Sequence, residues 1–294
     1  MTYLRARRSS PAREIIAVIN GFPEREPWRA NTHLNAVHQH LGQRAPELGF
    51  AIEHFWLGEH GMTPARLSRI MRTRGIVGAV LLAFPRCTTA LEIDWAQFAC
   101  TAIGHSLAVP LHRVCSNQYR DLNTALKSLA ALGYLRPGLV LNPDVNLRVE
   151  HHYVAAYLAA QWHRPACDRM DPLLFTGGRE QFLRWFEQQQ PDALLLSQPP
   201  PAREVIQAWL AAEGRAIPRD VGLALLDLPH DASKASGIRQ PYGANGSAAV
   251  EFVAGQITRG ERGIPPLPQM IYLEGQWLTG ETTTPQRLVA ARSR

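Results

Sequence analysis

Short apolar runs alternate with amphipathic stretches along nearly the whole sequence. Apolar runs of strand length occupy residues 15–20, 51–57, 77–84, 100–104, 112–115, 138–142, 172–175, 193–196, 221–226 and 269–274. Helical spacing occupies residues 31–48, 64–75, 122–132, 149–162, 180–189, 202–213 and 248–257. This βα alternation is typical of a doubly wound parallel sheet. Because the elements outnumber what one small lobe needs, we predict an α/β protein with two such sheets.

Local signals support these element assignments. The continuous apolar run 77–84 reads as a strand buried on both faces of a parallel sheet. Thr63 is expected to cap the helix that begins at Pro64, since proline is well tolerated in the first helical turn. Gly133 is expected to end the helix over 122–132. The polar stretches between these elements are therefore predicted to be loops.

Composition favours a folded protein of the reducing cytoplasm. The chain has 294 residues, of which 46% are hydrophobic and 19% charged, so two lobes are expected. Its four cysteines are far apart and form no CxxC pair, which argues against zinc sites and disulfide scaffolds. The N-terminal residues contain no apolar segment of signal-peptide length, and no membrane span is predicted.

Four aromatic residues follow predicted strands and are candidates for ligand contact. In open α/β sheets, ligands bind beyond the carboxyl ends of the strands. Phe22, Trp28, Phe84 and Phe175 lie in loops at such positions. Aromatic faces suit a sugar or nucleoside ring, because they offer apolar area and stacking. Local packing is the alternative explanation for each of them.

Four segments resemble those of the LacI/GalR family of bacterial transcription regulators. The segment RAIPRDVGLALLDLP (215–229) is similar to the family's IPxDVSVVGFDD element, and GIRQPYGANGSAAVEFVAGQI (237–257) follows at the expected interval. Upstream, FWLGEHGMTPARLSRIMRTRGIVGAVL (55–81) and QYRDLNTALKSLAALGYLRPGLVL (118–141) are also similar to family segments, in the same order. Together the four segments span most of the chain.

The resemblance implies two Rossmann-like lobes joined by three crossovers, as in type I periplasmic binding proteins. It implies a basic hinge-like arm over residues 1–13, a first lobe over 14–134 and 239–262, and a second lobe over 135–238 and 263–294. A small-molecule effector, a sugar or a related compound, would bind in the cleft, and the regulator would be a homodimer. Operator DNA would be contacted only through a helix-turn-helix that this chain does not contain. Neither enzymatic activity nor a cofactor is implied.

The resemblance also suggests individual effector-binding residues. Asp227 corresponds to the aspartate of the family's FDD element, where a carboxylate accepts ligand hydroxyls or an amine; capping of the next turn is the alternative. Arg148 lies close to the family's ligand-clamping arginine, with a salt bridge as its alternative role. Gln198 matches a family Asn-Asp pair loosely, and Gln240 lies at a crossover, where it would report closure. Asn117 lies where the family usually has an aspartate, so an effector with fewer hydroxyls than a hexose is expected.

Two other classes of protein are weighed against this assignment. A solute-binding protein of a transporter shares the fold, and the missing signal peptide argues against it. The segment GHSLA (104–108) resembles the nucleophile elbow of α/β-hydrolases, and Asp227 and His230 follow in the order of a catalytic triad. The elbow requires a helix directly after the serine, yet a proline and a strand-like run follow here. The histidine spacings do not fit a metal site.

Overall fold

Two six-stranded sheets form the framework of the protein. The computed structural model describes residues 13–87, 91–197, 202–229 and 234–286. The first sheet comprises β1 (Ile15–Asn20), β2 (Ala51–Trp56), β3 (Ile76–Leu81), β4 (Ala99–Ile103), β5 (His112–Ser116) and β11 (Met270–Leu273), in the order β11-β5-β4-β3-β1-β2. The second comprises β6 (Pro137–Leu141), β7 (Leu173–Leu174), β8 (Ala193–Ser197), β9 (Gly222–Leu225), β10 (Ser236–Arg239) and β12 (Gln276–Leu278), in the order β12-β10-β9-β8-β6-β7. Among the described strands, all neighbours pair parallel except β10 and β12, which pair antiparallel.

Helices cover both faces of each sheet. They are α1 (Thr32–Glu47), α2 (Pro64–Thr73), α3 (Gln118–Ala131), α4 (Pro143–Arg148), α5 (His152–Ala160), α6 (Arg179–Gln189), α7 (Ala202–Ala212) and α8 (Tyr242–Arg259). In the first lobe, α1 and α8 pack on one face of the sheet and α2 on the other. In the second lobe, α3 and α5 oppose α6 and α7. Each lobe is therefore a three-layer α/β sandwich, as predicted.

Several local signals are confirmed. The β3 run is buried along almost its whole length, as expected for a strand covered on both faces. Thr63 caps α2 by accepting a hydrogen bond from the Arg66 amide at 3.1 Å, with Pro64 in the first turn. Gly133 follows α3 with φ of +91°, a conformation that favours glycine.

Three crossovers join the lobes, as the resemblance implied. The chain passes from the first lobe to the second between β5 and α3, returns between β10 and α8, and passes again between β11 and β12. Asn117, Gln240 with Pro241, and Glu274 with Gly275 lie at these three passages. Among the described helices, none is long and apolar enough to cross a bilayer.

The structure differs from the predicted lobe boundaries in two places. The helix α3 was predicted in the first lobe, but Leu122 and Leu129 on its apolar face are buried in the core of the second lobe. The strand β11 was predicted in the second lobe, but it pairs parallel with β5 at the edge of the first sheet. Both elements lie next to a crossover, and an amphipathic pattern shows which face is buried but not against which sheet. The predicted arm falls, apart from Arg13, outside the described residues.

Candidate ligand-binding site

Hydrogen bonds tie the first and third crossovers together. The amide of Asn117 donates to the Leu273 carbonyl at 2.8 Å, and the amide of Gly275 donates to Asp121 Oδ1 at 2.7 Å. Asp121 is 1% exposed. Burial raises the pKa of this carboxyl to about 6, against the opposing effects of the hydrogen bond from Gly275 and of the nearby Gln240 side chain. The lobes are thus joined by a compact hinge with a buried acid at its centre.

Asp227 lies beside this hinge and links the two lobes. It follows β9 in the second lobe, as the strand-end rule requires. The Tyr242 hydroxyl donates to Asp227 Oδ2 at 2.8 Å, and His33 Nδ1 lies 3.5 Å from the same oxygen. Tyr242 begins α8 and His33 belongs to the first turn of α1, so both partners come from the first lobe. Their rings are stacked with centroids 4.6 Å apart.

The Asp227 carboxylate has an unused acceptor. A third of its side chain is exposed, yet Oδ1 itself is buried and has no hydrogen-bond partner among the described residues. Burial raises the pKa of Asp227, while His33, the Tyr242 hydroxyl and Arg148 lower it. His33 Nε2 is also buried without a described partner. Buried polar atoms of this kind are normally satisfied by water or a ligand.

Gln240 extends the polar wall next to Asp227. Its Nε2 donates to the Leu226 carbonyl at 2.9 Å and lies 3.4 Å from the Tyr153 hydroxyl. Its Oε1 is buried with no partner in the described part of the chain. Gln240 is thus bonded to Leu226, the residue before Asp227, and the buried Tyr153 of α5 lies beside its amide.

Arg148 lies close enough to this wall to act on it electrostatically. It is the last residue of α4, and its charge lowers the pKa of both Asp227 and Tyr242. Of the predicted residues, Asp227 and Gln240 thus lie close together at the hinge, and the charge of Arg148 acts on Asp227.

Three predicted aromatic residues pack within the lobes instead of forming a binding face. Trp28 is stacked on His38 with centroids 4.4 Å apart. Phe175 is 4% exposed and meets Trp209 edge to face in the core of the second lobe. Phe84 is 5% exposed and belongs to the core of the first lobe. The alternative of local packing applies to Phe84 and Phe175, because burying an aromatic ring stabilises the core more than leaving it at a wet cleft; Trp28 is only partly buried.

The remaining predicted residues have mixed placements. Phe22 is half-buried, and its backbone is held by the Asn20 side chain and the Trp56 indole, at 2.8 Å each. Asn117 caps α3 by accepting the Arg120 amide at 3.1 Å, so its oxygen is occupied by a helix-capping bond. Gln198 lies outside the described residues.

The serine of GHSLA lacks the surroundings of a nucleophile. Ser106 is 4% exposed, and its Oγ accepts the amide of Phe84 at 2.7 Å. No helix begins at this serine in the described stretch 104–111, and β5 follows. The third member of the proposed triad, His230, lies outside the described residues. In the described part of the chain, no three His, Cys, Asp or Glu side chains are arranged to hold a metal ion.

Two residues of the site were missed by the sequence reasoning. His33 lies in the segment after β1, where the strand-end rule pointed, but the two aromatics Phe22 and Trp28 were chosen there. Tyr242 is two residues after Gln240, just past a crossover, and its hydroxyl gives the shortest bond to Asp227. Proximity to a predicted crossover was the signal that could have identified Tyr242.

Comparisons with known proteins agree with this architecture. Residues 126–283, more than half of the chain, match the family model described as periplasmic binding protein-like domain, and the chain therefore belongs to that family. A comparison with curated proteins found no match.

Solved structures of transcription regulators share the fold. A LacI transcriptional regulator from a Rhodococcus species superposes with a TM-score of 0.69 at 14% identity, covering 92% of this chain and 99% of that one. The transcriptional regulator CelR, in complex with cellobiose, gives a TM-score of 0.65 at 18% identity, with coverage of 92% and 86%. A LacI-family regulator from Enterococcus faecium with bound ribose gives 0.61 at 16%, with coverage of 93% and 100%.

Proposed function

We propose that the protein is the ligand-sensing, dimerising core of a LacI-type transcription regulator and that its effector is a sugar or a related polyol. The observation that carries the proposal is the unpaired Oδ1 of Asp227, which lies beside the hinge and between the lobes. The LacI-type fold and the sugars bound to two similar structures, cellobiose and ribose, support the choice of ligand class. This is a binding role rather than catalysis.

The chemistry of the wall suits hydroxyl donors. Asp227 Oδ1 and Gln240 Oε1 are two buried acceptors without a partner among the described residues, and a sugar offers several adjacent hydroxyl groups. A hydrogen bond to an ionised carboxylate contributes about 1.5–3 kcal/mol, more than a neutral pair. Phe84 and Phe175 are buried in the cores of their lobes and offer little aromatic surface to a ligand. Polar contacts are therefore expected to supply most of the selectivity.

The proposed mechanism is a shift in lobe closure. An effector that binds in the cleft and contacts both lobes favours the relative position of the lobes in which it can make both sets of contacts at once. In a dimer, the relative position of the two first lobes then changes, and the change in DNA affinity is reciprocally coupled to effector affinity. Such a regulator acts in the cytoplasm, where operator DNA is found.

A thermal-shift panel of sugars and polyols tests the proposal. At a ligand concentration of 100 times Kd, binding stabilises the native state by about 2.7 kcal/mol, which is readily seen as a higher Tm. We expect at least one sugar to raise the Tm of the wild type and Asp227→Asn to lose that response while remaining folded. Asp168→Asn is the matched control, because Asp168 is exposed and distant in sequence from the seam. A panel without a hit, or an unchanged response of Asp227→Asn, contradicts the proposal.

A further inference from the structure

A second cluster bridges the two lobes away from Asp227. His105 follows β4 in the first lobe, and Glu150 lies in the turn between α4 and α5 of the second lobe. His105 Nδ1 and Glu150 Oε2 are 3.1 Å apart. The His105 side chain is 1% exposed, whereas that of Glu150 is 58% exposed. The imidazole is thus enclosed when the lobes stand in this arrangement.

The ring of His105 is enclosed by groups from both lobes. His152 of α5 meets it edge to face at 5.0 Å, and Tyr272 of β11 lies at 5.9 Å. His105 and Tyr272 belong to the first lobe, while Glu150 and His152 belong to the second. Neither ring nitrogen of His105 has a hydrogen bond of good geometry among the described residues. Separation of the lobes would therefore expose this imidazole to water.

The turn that carries Glu150 is held in an unusual conformation. Glu150 has φ of +50° and His151 has φ of +61°, a left-handed region that costs energy for residues other than glycine. The His151 amide donates to the Asn146 carbonyl at 2.8 Å, and the two side chains meet at 2.9 Å. These bonds fix the turn so that Glu150 faces His105.

Positive charge from Arg113 also lies near His105. Arg113 of β5 donates to the carbonyls of Gly104, Leu107 and Val109 in the loop that carries His105. Glu150 is the carboxylate that opposes this charge, and much of it is in contact with water, which screens the attraction. Burial lowers the pKa of His105, with a further lowering from His152 and Arg113, and Glu150 only partly offsets these effects.

We propose that His105 is a proton-sensitive contact between the lobes. Its neutral imidazole fits the closed arrangement described here, in which both lobes enclose the ring, and its protonation favours separation of the lobes. The sign follows from linkage, because an imidazole that is harder to protonate when enclosed than when exposed takes up a proton as the lobes separate. Falling pH therefore shifts the population toward the open arrangement, starting as the exposed imidazole begins to titrate. The device acts without any effector and does not depend on which ligand binds at Asp227.

Two native cysteines allow a direct distance measurement. Cys87 is exposed in the first lobe and Cys167 is exposed in the second, while Cys100 and Cys115 are buried. Spin labels on Cys87 and Cys167 report the separation of the lobes by pulsed electron spin resonance. We expect the distance distribution of the wild type to shift to longer values between pH 8 and about pH 5.5, a window around the ordinary histidine pKa of about 6.5.

Three variants separate His105 from other titrating groups. His105→Gln should lose most of the shift, although Asp121 at the hinge still titrates in this range. Glu150→Gln should open at higher pH than the wild type, because the opposing carboxylate is gone. His60→Gln, at an exposed histidine, should behave as the wild type. A distance that does not change with pH, that shortens on acidification, or that responds equally in His105→Gln and wild type overturns the proposal.

Discussion

Gly246 of α8 lies directly against the backbone of α1, and replacing it with alanine should separate the two helices. A Cβ on Gly246 would lie 2.4 Å from the Val37 carbonyl oxygen, a backbone atom that cannot rotate away. Since ordinary van der Waals contact begins near about 3.5 Å, the helices would have to move apart by about 1 Å. Gly246 and Val37 lie one helical turn beyond Tyr242 and His33, so the movement would reach the stacked pair at Asp227.

The expected cost follows from two opposing effects. Overpacking of a well-packed core lowers the free energy of unfolding by about 1–3 kcal/mol. Because the clashing atom is the backbone oxygen of Val37, which cannot move aside, we expect a cost at the upper end of that range. Alanine regains about 1 kcal/mol over glycine in a helix interior. We therefore expect Gly246→Ala to lower the free energy of unfolding by about 1–2 kcal/mol.

Gly42→Ala in α1 is the matched control, because a Cβ there meets nothing within 4 Å. This variant should gain about 1 kcal/mol from helix propensity alone. Urea unfolding followed by tryptophan fluorescence measures both variants, and their midpoints should move in opposite directions. If Gly246→Ala is as stable as Gly42→Ala, the close packing of α1 on α8 described above is wrong.

Two further predictions follow from buried titratable groups. Because the pKa of Asp121 is raised from 3.8 to about 6, the wild type should lose on the order of 2 kcal/mol of stability as pH rises from about 4 to 6. The variant Asp121→Asn should not show this loss. Identical pH profiles of stability for the two proteins would contradict the prediction. Burial raises the pKa of Cys100 and Cys115 to about 12, so native protein should react with a thiol reagent quickly at Cys87 and Cys167 alone; four fast thiols would show that the buried pair is accessible.

Most strands of the two sheets could be predicted because buried strands consist of continuous apolar residues. Long apolar runs such as those of β3 and β8 are covered on both faces, and their composition shows it. The strands β10 and β12 were missed, since each is short and carries polar or glycine residues. The six-residue helix α4 is too short for a helical period to emerge.

The candidate site was harder to predict than the fold. Asp227 could be proposed from the sequence because it lies in an element that resembles a known family. His33 and Tyr242 were not, because their contacts with Asp227 join positions distant in sequence and depend on where the crossovers bring α1 and α8 together. Trp28 and Phe175 make ring contacts with His38 and Trp209 inside their own lobes, and a strand-end position in the sequence does not reveal whether an aromatic ring faces ligand or core.

Hydrogen exchange with and without a stabilising sugar tests the central claim most directly. The claim is that a metabolite binds between the lobes against Asp227, so saturating ligand should slow exchange in peptides on both sides of the seam. These are the first turn of α1 with His33, the end of β9 with Asp227, and the crossover from Gln240 into α8. Protection confined to one lobe, for example to the groove of about 270 Å³ between α3 and α5 that Tyr134 and Tyr157 line, would contradict the account.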